Sequence, residues 1–144
     1  MTEVRFYDEI EDHLLKFAVI IARTNGKWVF CKHKERETLE VPGGHREKDE
    51  LILDTAKREL REESGAVDFV IKPICVYSVK GKTSVNEKLT ETTYGMLYIA
   101  DIFSFEEIHS EMEKIVISDD LITNWTYPSI QPKLMEEAQR RGFL

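Results

Sequence analysis

The chain has 144 residues, 42% of them hydrophobic, which suits one domain built on a single core. Its 20 basic and 27 acidic residues leave a net charge of −7, so no general attraction to extended nucleic acid is expected, and an anionic substrate would need a cation to bind. The start, MTEVRFYDEIEDH, has neither a basic nor an apolar leader region, and the longest apolar run, Phe17 to Ala22, is far too short to cross a bilayer; a cytoplasmic protein without a membrane partner is expected. Cys31 and Cys75 in such a chain read as free thiols on strands, not as a disulfide or a thiolate metal site.

In chain order, Leu14 to Ala22 and Lys27 to His33 read as strands joined by a turn at Thr24-Asn25-Gly26, with β-branched and aromatic residues on both sides. A short extended piece, Leu39 to Val41, leads into Pro42-Gly43-Gly44. That is a turn signal, because proline presets φ and glycine reaches angles closed to other residues. Asp49 is the expected N-cap of a helix over Leu51 to Glu63, rich in Leu, Ala, Lys, Arg and Glu, and Gly65 supplies its stop. Val67 to Val79 and Leu89 to Phe103 follow as long paired strands, and Ile115 to Ile117 adds another. Pro128 opens a last helix through Ser129 to Arg141, with Pro132 in or near its first turn. No repeat or linker interrupts this order, so residues 1–144 read as a single α+β domain.

At about 100° per residue, Glu59, Glu62 and Glu63 share one arc of the helix, beside an apolar stripe of Ile52, Leu53, Ala56 and Leu60. Asp54, Lys57 and Arg61 point the other way. Glutamates on a helix surface ordinarily mark only a solvated face. Here, however, like charges three and four residues apart repel one another close to a helix C-terminus, where the macrodipole also disfavours anions. A hard divalent cation with oxygen ligands is the natural compensation. Arg58 is placed either to orient one of these acids or simply to form a surface ion pair.

The whole segment obeys one spacing rule, Gly44-x5-Glu50-x7-Arg58-Glu59-Leu60-x-Glu62-Glu63-x-Gly65-Ala66, and so resembles the signature of the nudix hydrolases over residues 44–66. The resemblance implies a mixed β-sheet sandwiched between α-helices and a metal-dependent hydrolysis of a nucleoside diphosphate linked to another moiety. It implies metal ligands at Glu59, Glu62, Glu63 and the backbone carbonyl of Gly43, with Glu50 secondary. Magnesium is the expected cofactor and manganese the substitute. The general base is left open among Glu59, Glu62 and Glu111, the last lying in SEMEKIVI, with Glu106, Glu107 and Glu113 as neighbours able to displace it. Ala66 is smaller than the aliphatic residue often found there, which bears on local packing.

Specificity must come from outside this segment. His33, Lys34 and Arg36 are candidates for phosphate contact, although KHKERE also reads as a solvated loop, and His45 could touch substrate from a variable position. Trp125, Tyr127 and Asn124 offer an aromatic and an amide that could stack on and hydrogen-bond a purine, while capping, turn and core roles compete. ETTYGMLYIA and NWTYPSIQPKL resemble a bacterial subgroup described as 8-oxo-dGTP diphosphatases. The leading expectation is therefore a nucleoside triphosphate diphosphatase acting on a small-molecule nucleotide, oxidised dGTP included. A nucleotide-sugar, dinucleoside polyphosphate or RNA 5′-end pyrophosphohydrolase is the alternative, and a non-catalytic nucleotide-binding module stands third. Monomer and homodimer are both left open.

Overall fold

The computed structural model describes residues 2–81 and 91–144. Its elements are β1 (Glu3–Tyr7), a 3-10 turn (Asp12–Leu14), β2 (Leu15–Thr24), β3 (Lys27–His33), β4 (Leu39–Glu40), β5 (Gly43–His45), α1 (Ile52–Ser64), β6 (Ala66–Lys80), β7 (Thr92–Phe105), β8 (Met112–Ser118) and α2 (Gln131–Arg140). The strands form one mixed sheet in the order β1-β6-β7-β2-β3-β4, with β5 also on β2 and β8 also on β3. Among the strands of the described residues β2 and β7 run parallel, from Leu15 beside Tyr94 to Arg23 beside Asp101, and the other strand pairs are antiparallel; a single parallel bridge joins Leu39 to Trp125.

The two-residue period of β2 divides the core. Phe17 and Ile21 join Tyr77, Val79, Leu97 and Ile99 on one face, where Leu134, Met135 and Ala138 of α2 cover them. Ala18, Ile20 and Ala22 join Tyr98, Ala100 and Ile102 on the other, under Ala56 and Leu60 of α1. The sheet is thus sandwiched between two helices, as expected. No helix among the described residues is long and apolar enough to cross a membrane.

The turn at Asn25 and Gly26 has φ values of 50° and 77°, the left-handed pair that a two-residue hairpin requires. Both cysteines are free and buried on strands. The expected strand at Ile115 to Ile117 extends over the whole of β8, and α2 begins at Gln131, two residues later than Ser129. Part of the strand expected from Leu89 to Phe103 lies outside the described residues; the rest is β7, paired with β6 from Lys80–Thr92 to Ala66–Phe105 with register shifts at Pro73–Cys75 and between Ala66 and Phe69.

Two expectations are corrected, and one strand is added. Asp49 does not cap α1: it sits at φ 63° within the preceding turn, and the helix begins on the carbonyl of Leu51, which accepts from Thr55 N–H at 3.0 Å. Leu53 is 38% exposed, while Thr55, outside the expected stripe, is fully buried. The buried positions of the helix are Thr55, Ala56, Leu60, Glu63 and Ser64, with Ile52 packed against the same core. Finally, β1 pairs with the far end of β6, Glu3 beside Lys80, and closes that side of the sheet with a strand that the alternation of residues 3–7 had not suggested.

Candidate active site

A cavity of about 540 Å³ opens between the α1 side of the glycine turn and the start of α2. Its apolar wall is Phe17, Val19, Tyr77, Val79, Ile130 and Leu134. Glu40, Glu59, Glu63 and Glu111 supply carboxylates; Arg36, Arg46, Arg58, His33 and His45 supply the basic groups.

The glycine turn brings these groups together. β5 pairs with β2, Gly43 beside Val19 and Gly44 beside Ala18, which lays the turn across the C-terminal half of α1. Gly43 N–H donates to Glu63 Oε1 at 2.8 Å. A Cβ on Gly44 would lie 2.3 Å from the Glu59 carboxyl carbon, so only glycine lets that carboxylate sit against the strand. At the end of the helix Gly65, at φ 76°, donates its N–H to Arg61 O at 2.9 Å; a Cβ there would meet Glu106 O at 2.2 Å.

Arg58 organises the acidic side. It donates to Glu50 through Nε at 2.8 Å and a terminal nitrogen at 3.0 Å, to Glu59 at 2.8 Å, to Glu62 at 3.4 Å and to the carbonyl of His45 at 2.9 Å. Glu50 also accepts from Thr55 Oγ1 at 2.7 Å and Glu47 N–H at 3.0 Å. The Arg58 guanidinium holds the Glu50 carboxyl down at about 2. Burial pushes Glu59 up to about 6 against the opposing Arg58 bond, with the charges of Glu62 and Glu111 adding to the rise. Burial raises Glu63 to about 9; the Gly43 N–H opposes this, and Glu59, Glu40 and Glu111 add to it.

The site residues named from sequence therefore separate. Glu59, Glu63, Gly43, Arg58, Glu111, Arg36 and His45 all line the cavity. Glu62 does not: its side chain is 51% exposed beside Arg58, so the three acids of the arc do not converge as side chains. A helical wheel gives the angle of a residue but not its depth, and the helix buries the Glu63 edge. Asn124 is also outside the lining; its side-chain amide donates to Glu37 O at 3.2 Å, and its backbone carbonyl accepts from Leu39 N–H at 2.9 Å. Trp125 packs edge-on against Phe30, ring centres 5.6 Å apart, which makes it part of a small core with Leu39 and Val41. Glu106, Glu107 and Lys34 are not in the lining, and Glu113 pairs with Lys32 at 3.3 Å. Sequence reasoning missed Glu40 and Gln131, which are buried and line the cavity, and Arg46, which ties the box loop to the 3-10 turn through Asp12 O, Asp12 Oδ2 and Leu15 O.

As arranged, no three His, Cys, Asp or Glu among the described residues are grouped to hold an ion: Arg58 draws Glu59 and Glu62 while Gly43 draws Glu63. The donor chemistry nevertheless fits a hard cation. Two desolvated carboxyls beside a third acid have raised proton affinity, so they gain from a bound positive charge, and their ligand atoms are all oxygen.

Residues 12–122 match the NUDIX domain. YtkD of Bacillus subtilis (strain 168), provisionally named an 8-oxo-dGTP diphosphatase, is 33% identical over 105 residues; the alignment covers 73% of this chain but only 61% of that protein's length. The crystal structure of the Bacillus subtilis pyrophosphohydrolase BsRppH, in a point-mutant form, superposes with a TM-score of 0.77 at 25% identity, covering 99% of this chain and 92% of that one. The NUDIX domain of Shewanella oneidensis NrtR, solved with ADP ribose, superposes at 0.67 with 16% identity over 88% of this chain and 87% of that one, a likeness of fold. Members of this family act as pyrophosphohydrolases and generally use divalent metal ions. With the box helix, the glycine turn and the sandwiched mixed sheet all present in a match spanning residues 12–122, the chain belongs to the NUDIX family.

Proposed function

We propose that this protein is a pyrophosphohydrolase that cleaves a nucleoside triphosphate, with oxidised dGTP among its substrates, to the monophosphate and pyrophosphate. One observation carries the reading: a single cavity joins the Glu59, Glu63 and Glu111 carboxylates to an apolar wall large enough for a nucleoside. The 33% identity to YtkD supports the substrate class.

Glu59 and Glu63, with the carbonyl of Gly43 and with Glu62 at the rim, would hold a divalent cation, magnesium or manganese. Such a cation, when bound, neutralises phosphate charge and acidifies water. The chain's own residues do the rest. Glu59 and Glu111 border the space in which a water would attack phosphorus, and each can accept its proton; a carboxyl raised towards neutrality suits that role. Arg58 does not need to touch substrate: by gripping Glu50 and Glu59 together it fixes the direction of the Glu59 carboxylate. Gly44 leaves room for the Glu59 carboxylate against the strand.

A second reading, removal of pyrophosphate from an RNA 5′ end, is favoured by the near full-length superposition on BsRppH. A substrate panel with magnesium and product identification separates the two: oxidised and normal nucleoside triphosphates, 5′-triphosphate RNA, nucleotide sugars and dinucleoside polyphosphates. Monophosphate and pyrophosphate released from the free nucleotides support the first reading. Turnover confined to RNA, or to sugars or dinucleotides, rejects it.

A further inference from the structure

We propose that Glu40 and Gln131 form a reader for the hydrogen-bonding edge of a guanine-type base in the cavity. The inference rests on the reading of the site as a nucleotide site. It starts from two polar side chains that the hydrolytic chemistry does not use. Glu40 and Gln131 are 6% and 5% exposed, both line the cavity, and they come from opposite ends of the chain.

Their hydrogen bonds give each a defined polarity. Gln131 Oε1 accepts the backbone N–H of Val41 at 3.0 Å, which ties the amide to the residue beside Glu40. With its oxygen taken, the amide offers the cavity its two N–H donors, and among the described residues no acceptor for them is seen. Glu40 is held by Arg36, which donates to Oε1 at 3.2 Å, and by a hydrogen bond from the Thr126 side chain. A carboxylate has about four lone-pair positions, so acceptor capacity is left over. Arg36 in turn lies against Tyr127, whose carbonyl accepts Gln131 N–H at 3.0 Å, so the four residues form one connected unit.

A donor beside a two-oxygen acceptor is the complement of one base edge in particular. Guanine presents an O6 acceptor, then N1–H and N2–H donors: three bonds, two of them to a charged acceptor. Adenine in the same place can give only its N6–H donor and one ring nitrogen, and it sets a lone pair or a bare C–H where guanine has a donor. Leaving buried polar groups unpaired is what makes such a site selective. Oxidation at C8 alters the far side of the purine and leaves this edge unchanged, so the pair selects guanine over adenine and is indifferent to oxidation.

The test is binding, which does not depend on turnover. GMP and AMP, both unable to undergo the proposed cleavage, are titrated calorimetrically into the wild-type protein, Glu40→Gln and Gln131→Glu. GMP is expected to bind the wild type about ten- to a hundredfold more tightly than AMP, the range of one good bidentate contact. Glu40→Gln should bring GMP close to AMP while leaving AMP within about threefold, since adenine makes no bidentate use of the carboxylate. Gln131→Glu keeps an acceptor for Val41 N–H but turns the donor into an acceptor, and should cost GMP roughly tenfold or more. Equal wild-type affinities, no binding of either nucleotide, or equal losses for both in the folded variants would overturn the assignment. A clear GMP preference in a protein inactive on every triphosphate would sink the proposed reaction and leave the base reader standing.

Discussion

Replacing Gly44 by alanine tests whether the glycine turn is there for the chemistry or for the fold. The new Cβ would lie 2.3 Å from both Cδ and Oε1 of Glu59 and 2.6 Å from Oε2. Ordinary contact begins near 3.4 Å, so the carboxylate must retreat by roughly 1 Å, a displacement that costs about a hundredfold when it falls on a reacting group. Gly44 is not among the positive-φ glycines, so the alanine backbone is unstrained. The clash is with the end of a side chain that can turn, at an off-rotamer cost of roughly 0.5–1.5 kcal/mol, offset by the roughly 0.4–1 kcal/mol that alanine removes from unfolded-chain entropy. Stability should therefore stay within about 1 kcal/mol while kcat falls by about two orders of magnitude. Urea unfolding and steady-state kinetics on the same preparation measure both. A variant with kcat within about threefold of wild type would refute the claim that the position of the Glu59 carboxylate governs turnover, and a large loss of stability would show that the turn serves the fold instead.

Gly65→Ala should do the reverse: φ 76° and backbone oxygen of Glu106 at 2.2 Å leave no flexible atom to yield, so a destabilisation of roughly 2–4 kcal/mol is expected by urea denaturation. Arg58→Lys, unable to hold Glu50 and Glu59 at once, should lower kcat by about tenfold or more through a looser Glu59; unchanged kcat would remove its positioning role. Glu63→Gln should abolish most turnover and leave a folded protein, with magnesium or manganese restoring activity to chelated wild type but not to the variant. Because the Glu63 carboxyl is raised to about 9, the chelated wild type keeps the full contribution of its buried neutral form below the ordinary value of 4.5, loses stability progressively as pH climbs from there, and has lost it once pH passes about 9. Urea midpoints between pH 5 and 9 should fall more steeply for chelated wild type than for Glu63→Gln, and parallel curves would contradict the assigned burial.

What could be read in advance is what short-range rules control. Asn25-Gly26 dictates its own turn, Gly65 its own helix stop, and the box spacing puts Glu59 and Glu63 on one side of a helix before any partner is known. What could not be read depends on partners distant in the chain. The stretch Glu3–Tyr7 becomes a strand because Val76 to Lys80 offers an edge 69 to 77 positions later. Glu40 lies in the short extended piece Leu39 to Val41, and its burial close to Gln131, far later in the sequence, depends on the folded chain.

The burial of Glu63 is the most instructive of these differences, since it changes the chemistry. At 100° per residue Glu63 falls between Ile52 and Ala56, inside the apolar stripe, so packing Ala56 and Leu60 on the sheet carries the carboxylate inward with them. The Gly43 N–H is there to receive it. The desolvation of Glu63 places a strongly proton-binding oxygen ligand beneath the glycine turn, beside Glu59. An acid set within an apolar stripe breaks the local pattern at the place where a cation and a pyrophosphate would meet, and such a break is what a site built against local preference leaves in a sequence.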